Sequence, residues 1–155
     1  MDDLSALEDW AGALLARMEP AARRAVASDI GKTLRRSQQA RIRAQQNPDG
    51  SQFEPRKTRQ VMERGRLREK KGRIKREMFT KLRTAKFFKN KNDASGVTVG
   101  FAGRIARLAR IHQEGERSPV VQSGPAYQYP VRQLLGLTPA ERDMIRDKLM
   151  DHLAN

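Results

Sequence analysis

Three groups of residues in this chain have the chemistry to act on a ligand: a Gly31-Lys32-Thr33 triplet, the imidazoles of His112 and His152, and a dense run of lysine and arginine from Arg56 to Lys91. The triplet reads like the end of a phosphate-binding loop, in which backbone amides and a lysine cradle phosphate. That loop needs a preceding strand and a glycine five positions before Gly31. Val26 stands there, inside a helical run, so no nucleotide site is expected. His112 precedes Gln113, Glu114 and Gly115, yet no serine, carboxylate or second histidine has the spacing that completes a nucleophile or a two-ligand metal site. At the end of an apolar helical stripe it reads as a packed residue or a C-terminal cation. His152 is expected to be exposed near the C-terminus. Glu141, Asp143, Asp147 and Asp151 alternate with Arg142, Arg146 and Lys148 and read as a solvated face. The absence of cysteine excludes a thiol nucleophile, a disulfide framework and a thiolate zinc site. No catalytic, cofactor or metal-binding residue is expected, and the chain does not read as an enzyme.

The basic run is the feature that asks for a partner. Between Arg56 and Lys91 there are 16 Lys and Arg against three acids, so this span holds +13 of the net +14. Charge at that density repels itself unless something anionic meets it. The candidate contact residues are Arg56, Lys57, Arg59, Arg64, Arg66, Arg68, Lys70, Lys71, Arg73, Lys75 and Arg76. DNA and an acidic protein surface both satisfy them electrostatically. Aromatics make up only 5% of the chain, which argues against a single-strand binder built on stacking. No recognition helix, zinc finger or homeodomain pattern is present, so any DNA contact is expected at phosphates. Non-specific nucleic-acid binding through the basic segment is the alternative reading, carried by charge alone.

The elements around this segment are those of one domain, as 155 residues suggest. Leu4, Leu7, Ala11, Leu14 and Met18 mark an amphipathic helix. Pro20 starts a second run carried by Val26, Ile30 and Leu34, and the two form either a helical hairpin or one kinked helix. Asn47-Pro48-Asp49-Gly50 must end it. Residues 56 to about 75 carry Val61, Met62, Leu67 and Ile74 too sparsely for a core face. With Gly65 and Gly72 they read as a flexible basic arm or long loop, ordering only in an assembly. Met78, Phe79, Leu82, Phe87 and Phe88 lead into a strand, and Val97 to Phe101 is the clearest strand of the chain. Ile105, Leu108, Ala109 and His112 follow at helical spacing up to Gly115, a C-cap. Residues 116 to 131 read as a loop or edge hairpin. Thr138-Pro139-Ala140-Glu141 offers a capping box for a last helix whose stripe is Met144, Ile145, Leu149 and Leu153. The fold class is α+β: N-terminal helices, a small antiparallel sheet with an intervening helix, and a C-terminal helix. No apolar stretch is long enough for a membrane span, and the start Met1-Asp2-Asp3 lacks the pattern of a signal peptide. The cytoplasm of the producing cell is the expected compartment.

Several stretches, taken in order, resemble a known family. They are Leu34-Arg35-Arg36-Ser37-Gln38-Gln39, then Gln45-Gln46-Asn47-Pro48-Asp49-Gly50-Ser51 with Phe53, Pro55 and Arg56. Next come Met78-Phe79-Thr80-Lys81-Leu82-Arg83, Val99-Gly100-Phe101 with Gly103-Arg104, and Ile111-His112-Gln113 with Gly115. Tyr129-Pro130 then leads to Leu134-Leu135-Gly136-Leu137. In that order they are similar to the virion morphogenesis, or tail completion, proteins of temperate contractile-tailed phages. Val131-Arg132-Gln133 departs from a Pro-Arg-Pro segment common there, as does Glu114 from an aromatic. The resemblance implies a structural role at the head-proximal end of the tail, enabling head-tail joining, and a place in the virion neck after assembly in the host cytoplasm. It also implies a homo-oligomeric ring, sixfold by analogy with tail terminators, in contact with tail tube, sheath or neck proteins and open to passing DNA. Phe53, Pro55, Tyr127, Tyr129 and Pro130 are the candidate inter-subunit contacts.

Overall fold

Pro20 divides the N-terminal run into two separate helices, α1 at Asp3–Leu15 and α2 at Pro20–Arg43, in a computed structural model that describes residues 3–56, 60–63, 66–69, 77–119 and 122–154. Proline suits the first turn of α2, where a missing N–H leaves no bond unmade. From there Val26, Ile30, Leu34 and Ile42 turn inward along one face of the longest helix of the described chain. Gly31 lies on the same face for a packing reason. A Cβ there would stand 3.1 Å from Asn90 Nδ2 and 3.2 Å from Val97 Cγ1, so its hydrogen lets the strands approach.

Within the segment expected as a flexible basic arm or long loop, two short strands are described. Strands β1 (Gln60–Glu63) and β2 (Arg66–Glu69) pair antiparallel, with Glu63 opposite Arg66. The two residues between them are the spacing of a tight hairpin, and one is Gly65. Strands β3 (Phe88–Asn92) and β4 (Val97–Phe101) pair from Phe88↔Phe101 to Asn92↔Val97. Their turn is closed by Asp93 Oδ1, which accepts from the Ser95 and Gly96 amides at 2.7 and 3.1 Å. Helix α3 (Ile105–Glu114) ends at Gly115, whose φ of 66° is the left-handed cap the sequence predicts. Strands β5 (Arg117–Pro119) and β6 (Ala126–Gln128) form the edge hairpin, and helix α4 (Pro139–Ala154) closes the chain. The class is α+β, but the described strands make three two-stranded pairs in place of one small sheet.

Two apolar clusters lie along α2. At its N-terminal half Val26, Ile30 and Leu34 meet Met18 and Leu149, with Val97 and Val99 packed beside them. At its C-terminal end Ile42 meets Phe53, Met78, Phe79, Leu82, Ala109 and Leu134. Helix α4 packs on the first of them through Met144, Ile145 and Leu149. The expected capping box forms: the Thr138 amide donates to Glu141 Oε2 at 2.9 Å and the Glu141 amide to Thr138 Oγ1 at 3.1 Å. Glu141 is not on a solvated face as expected. Only 4% exposed, it pairs with Arg41 Nη1 at 3.0 Å and accepts from Ser37 Oγ at 2.7 Å. Among the described residues no helix is long and apolar enough to cross a membrane.

Candidate functional site at the root of the basic segment

The described backbone on either side of the basic segment, at Glu54–Pro55 and at Met78, is fastened by side-chain hydrogen bonds. On the outgoing side Arg132 donates from Nε to the Glu54 carbonyl at 2.7 Å and from Nη2 to the Pro55 carbonyl at 3.1 Å. On the return side Gln45 holds both backbone groups of Met78. Its Nε2 donates to the Met78 carbonyl at 2.9 Å, and its Oε1 accepts the Met78 amide at 2.7 Å. The Phe53 amide donates to the Gln45 carbonyl at 2.7 Å. Gln45 and Phe79 have φ values of 59° and 65°, left-handed backbone that side chains rarely adopt. Such strain persists only where surrounding contacts fix it.

A second amide clasp orients the far wall. Gln113 donates to the Leu135 carbonyl at 3.1 Å and accepts its amide at 2.9 Å. Asn47 Oδ1 accepts the Gln133 amide at 2.8 Å, tying the turn after α2 to the same segment. Leu134-Leu135-Gly136 is also gripped by Arg41, whose Nη2 reaches the Gly136 carbonyl at 3.0 Å. Many residues that carry the family resemblance, Gln38, Gln45, Asn47 and Gln113 among them, thus bond within the chain and shape this region.

Between the two fastened points lies a recess of about 420 Å³ lined by Arg56, Met78, Phe79, His112, Tyr127, Tyr129 and Arg132. Its rings meet edge to face: Phe79 and His112 with centroids 4.8 Å apart, His112 and Tyr129 5.1 Å, Tyr127 and Tyr129 4.9 Å. Beneath them Arg132 is 5% exposed. Its guanidinium spends its donors on the two carbonyls and on His112 Nδ1, 3.2 Å from Nη1, and no carboxylate pairs with it among the described residues. Burial pushes Arg132 below its ordinary pKa. His112 is driven down to about 4, first by burial and then by the cations Arg132 and Arg56. It is therefore a packed, neutral ring accepting from Arg132, and the C-terminal-cation alternative is removed.

The site residues predicted from sequence separate into three groups. Tyr127, Tyr129 and Pro130 are half-buried and Pro55 and Arg56 exposed, and of these Arg56, Tyr127 and Tyr129 line the recess. Phe53 does not serve as an outward anchor. It is 4% exposed, in the core, 5.6 Å from the Phe79 ring at right angles. Of the basic set, Arg66 and Arg68 lie on β2, where the backbone alone is described. Lys57, Arg59, Arg64, Lys70, Lys71, Arg73, Lys75 and Arg76 lie outside the described residues. His152 is half-buried, not exposed, with Nε2 3.5 Å from Asp29 Oδ2. Lys148 pairs with the same carboxylate at 2.8 Å, and its hydrogen bond is the main cause that lowers the Asp29 pKa. Gly31-Lys32-Thr33 sits inside α2, with Thr33 Oγ1 donating to the Asp29 carbonyl at 2.9 Å, and forms no loop. Among the described residues no group of three or more His, Cys, Asp or Glu is placed to hold a metal. Sequence reasoning missed Arg132 and Gln45 as the fastening residues. Their signal was present, since Gln45 opens one of the resembling stretches and Arg132 sits in the segment that departs from them.

Comparison with known proteins agrees with the resemblance. The profile of the phage virion morphogenesis family matches residues 2–154. The tail completion protein S of Escherichia phage P2 is 34% identical over 154 residues, covering 99% of each chain. No solved structure matches.

Proposed function

Because the chain belongs to the phage virion morphogenesis family, we propose that it is a structural, non-enzymatic subunit that completes the phage tail at its head-proximal end and thereby permits head-tail joining. The observation that carries this reading is the end-to-end likeness to a relative named for tail completion, covering 99% of both chains. The subunits form a closed ring, sixfold by analogy with tail terminators, seated on the tail tube in the virion neck. The fastened root of the basic segment supports that role. A segment held at Glu54–Pro55 and at Met78 is projected from a fixed point, as a contact to a neighbouring subunit or to acidic tail proteins requires. Residues 56–76 serve as that arm, and passing DNA meets those of its cations that face a lumen.

Native mass of the purified protein, alone and mixed with tail tubes, tests the proposal. A closed ring of defined stoichiometry on tubes is the expected result. A particle that ignores tubes and shifts with any DNA would transfer the function to general nucleic-acid binding through the same segment, with the steep salt dependence that phosphate contacts produce.

A further inference from the structure

A buried guanidinium is costly without an anion to meet it, and Arg132 has only the longer-range charge of the exposed Glu54, which makes no ion pair with it and does not line the recess. Its lining is two arginines and four aromatic rings with Met78, and no carboxylate. The ligand chemistry this favours is one negative group carried beside an apolar one. The exposed guanidinium of Arg56 can hold a carboxylate bidentately, Arg132 adds a fixed positive charge below it, and the rings offer a face to a methylene or thioether group. A carboxylate side chain fits better than a DNA phosphate, because Arg132 lies at the base of a concave recess and not on a flat basic surface.

The outer face of α4 presents that combination. Asp143, Asp147 and Asp151 recur every four residues and are exposed, and Met150 and Leu153 beside them are 53% and 38% exposed. Met150 lies one helical turn from Asp147 on the same surface. One molecule cannot join these two features. Helix α4 begins beside Arg41 and runs back along α2 to Asp29, through the Arg41–Glu141 and Asp29–Lys148 pairs. The recess lies past the C-terminal end of α2, beyond Ile42. Twelve residues of helix between Asp29 and Arg41 separate the two ends by roughly 18 Å.

We propose that the recess of one subunit receives Asp147 and Met150 from α4 of a second copy, with Arg56 closing over the carboxylate and Arg132 as the fixed charge beneath it. The contact is head-to-tail, which generates a ring when the rotation closes. It rests on the ring reading above and supplies the surfaces that reading lacks.

The absence of native cysteine allows a direct test. In R56C/D147C protein, oxidation during assembly on tail tubes should join subunits into a covalent ladder. R56C alone and D147C alone should not, since like positions do not meet in a head-to-tail contact. As a second measurement, R56E and D147R should each reduce the assembled mass, and R56E/D147R should restore it. Rings of normal mass without a 56–147 crosslink would overturn the contact while leaving the ring intact. Absence of any ring on tubes would overturn the ring reading and the contact with it. Loss of tail completion in D147R with rings unchanged would assign the α4 face to another tail protein and overturn the second-copy assignment. In a separate arm, inorganic phosphate or a short DNA duplex that shifts the His112 ring resonances more than propionate does would overturn the carboxylate preference.

Discussion

At the scale of single residues, two buried polar groups tie segments that lie about a hundred positions apart. Glu141 is 4% exposed and holds Arg41 while also closing the cap of α4. Removing one partner of a buried pair leaves the other charge unpaired, at about 3 to 5 kcal/mol. E141Q should lower the free energy of urea unfolding by an amount in that range, and a loss below ~1 kcal/mol would show that the pair is not buried in solution. His112 gives a pH signature. The unfolded chain takes up the imidazole proton near 6.5, the folded protein only near about 4. Falling pH therefore favours the unfolded state across that window, and the effect is complete below it. Allowing for solvent screening of a half-buried ring, the loss should be about 2 kcal/mol. H112Q keeps an acceptor for Arg132 and should flatten the dependence, read as unfolding midpoints between about pH 7 and about pH 4.5. The burial of Glu141 was not legible in the sequence. The residue sits in a run of alternating charges, and its burial is decided by Arg41, 100 positions earlier, with no local pattern to signal it.

Single elements were legible where the signal was local. The capping box at Thr138, the left-handed cap at Gly115, and the alternation of Val97 to Phe101 are short-range chemistry, and each appears where the sequence places it. The strands at 60–63 and 66–69 were not legible, because their apolar residues Val61, Met62 and Leu67 are too few to make an alternating face and lie in a run dominated by charge. Convergence of Arg56, Tyr127 and Tyr129 on one recess was equally hidden, since Arg132 positions the Arg56 side of it through bonds to the Glu54 and Pro55 carbonyls. These distinctions set the size of effect each substitution should have. T138A removes one half of a capping box and should cost about 1 kcal/mol. G115A should cost more, because a Cβ there would lie 2.7 Å from Val131 Cγ2 on a backbone with φ of 66°. Thermal unfolding of the two variants should rank them in that order. The reverse ranking would mean that the 129–131 segment yields easily and does not hold the recess in shape.

For the whole molecule, charge and stability separate cleanly. The span 57–76 holds ten Lys and Arg against two acids, so replacing it takes the chain from +14 to +6. The two apolar clusters of the described residues are built from α2, α4, Met18, Phe53 and the segments 78–82, 97–109 and 134–137, and the points where the span joins the fold are fastened by bonds among residues outside it. Arg56 and Met78 line the same recess, so a short Gly-Ser linker can bridge them. A protein with 57–76 exchanged for such a linker should therefore unfold at the same urea midpoint as the full chain or slightly above it, because self-repulsion has been relieved. On the proposed role of the segment, tail completion should nevertheless fail, since the charge assigned to meeting a neighbour or an acidic tail protein is gone. The two measurements must be made on the same preparation. A variant that folds and still completes tails would free the basic segment of any assembly role and leave the recess and the α4 face to build the ring without it. A variant that unfolds at markedly lower urea would instead mean that the hairpin β1–β2 packs on the body of the fold and contributes to its stability as well as to its contacts.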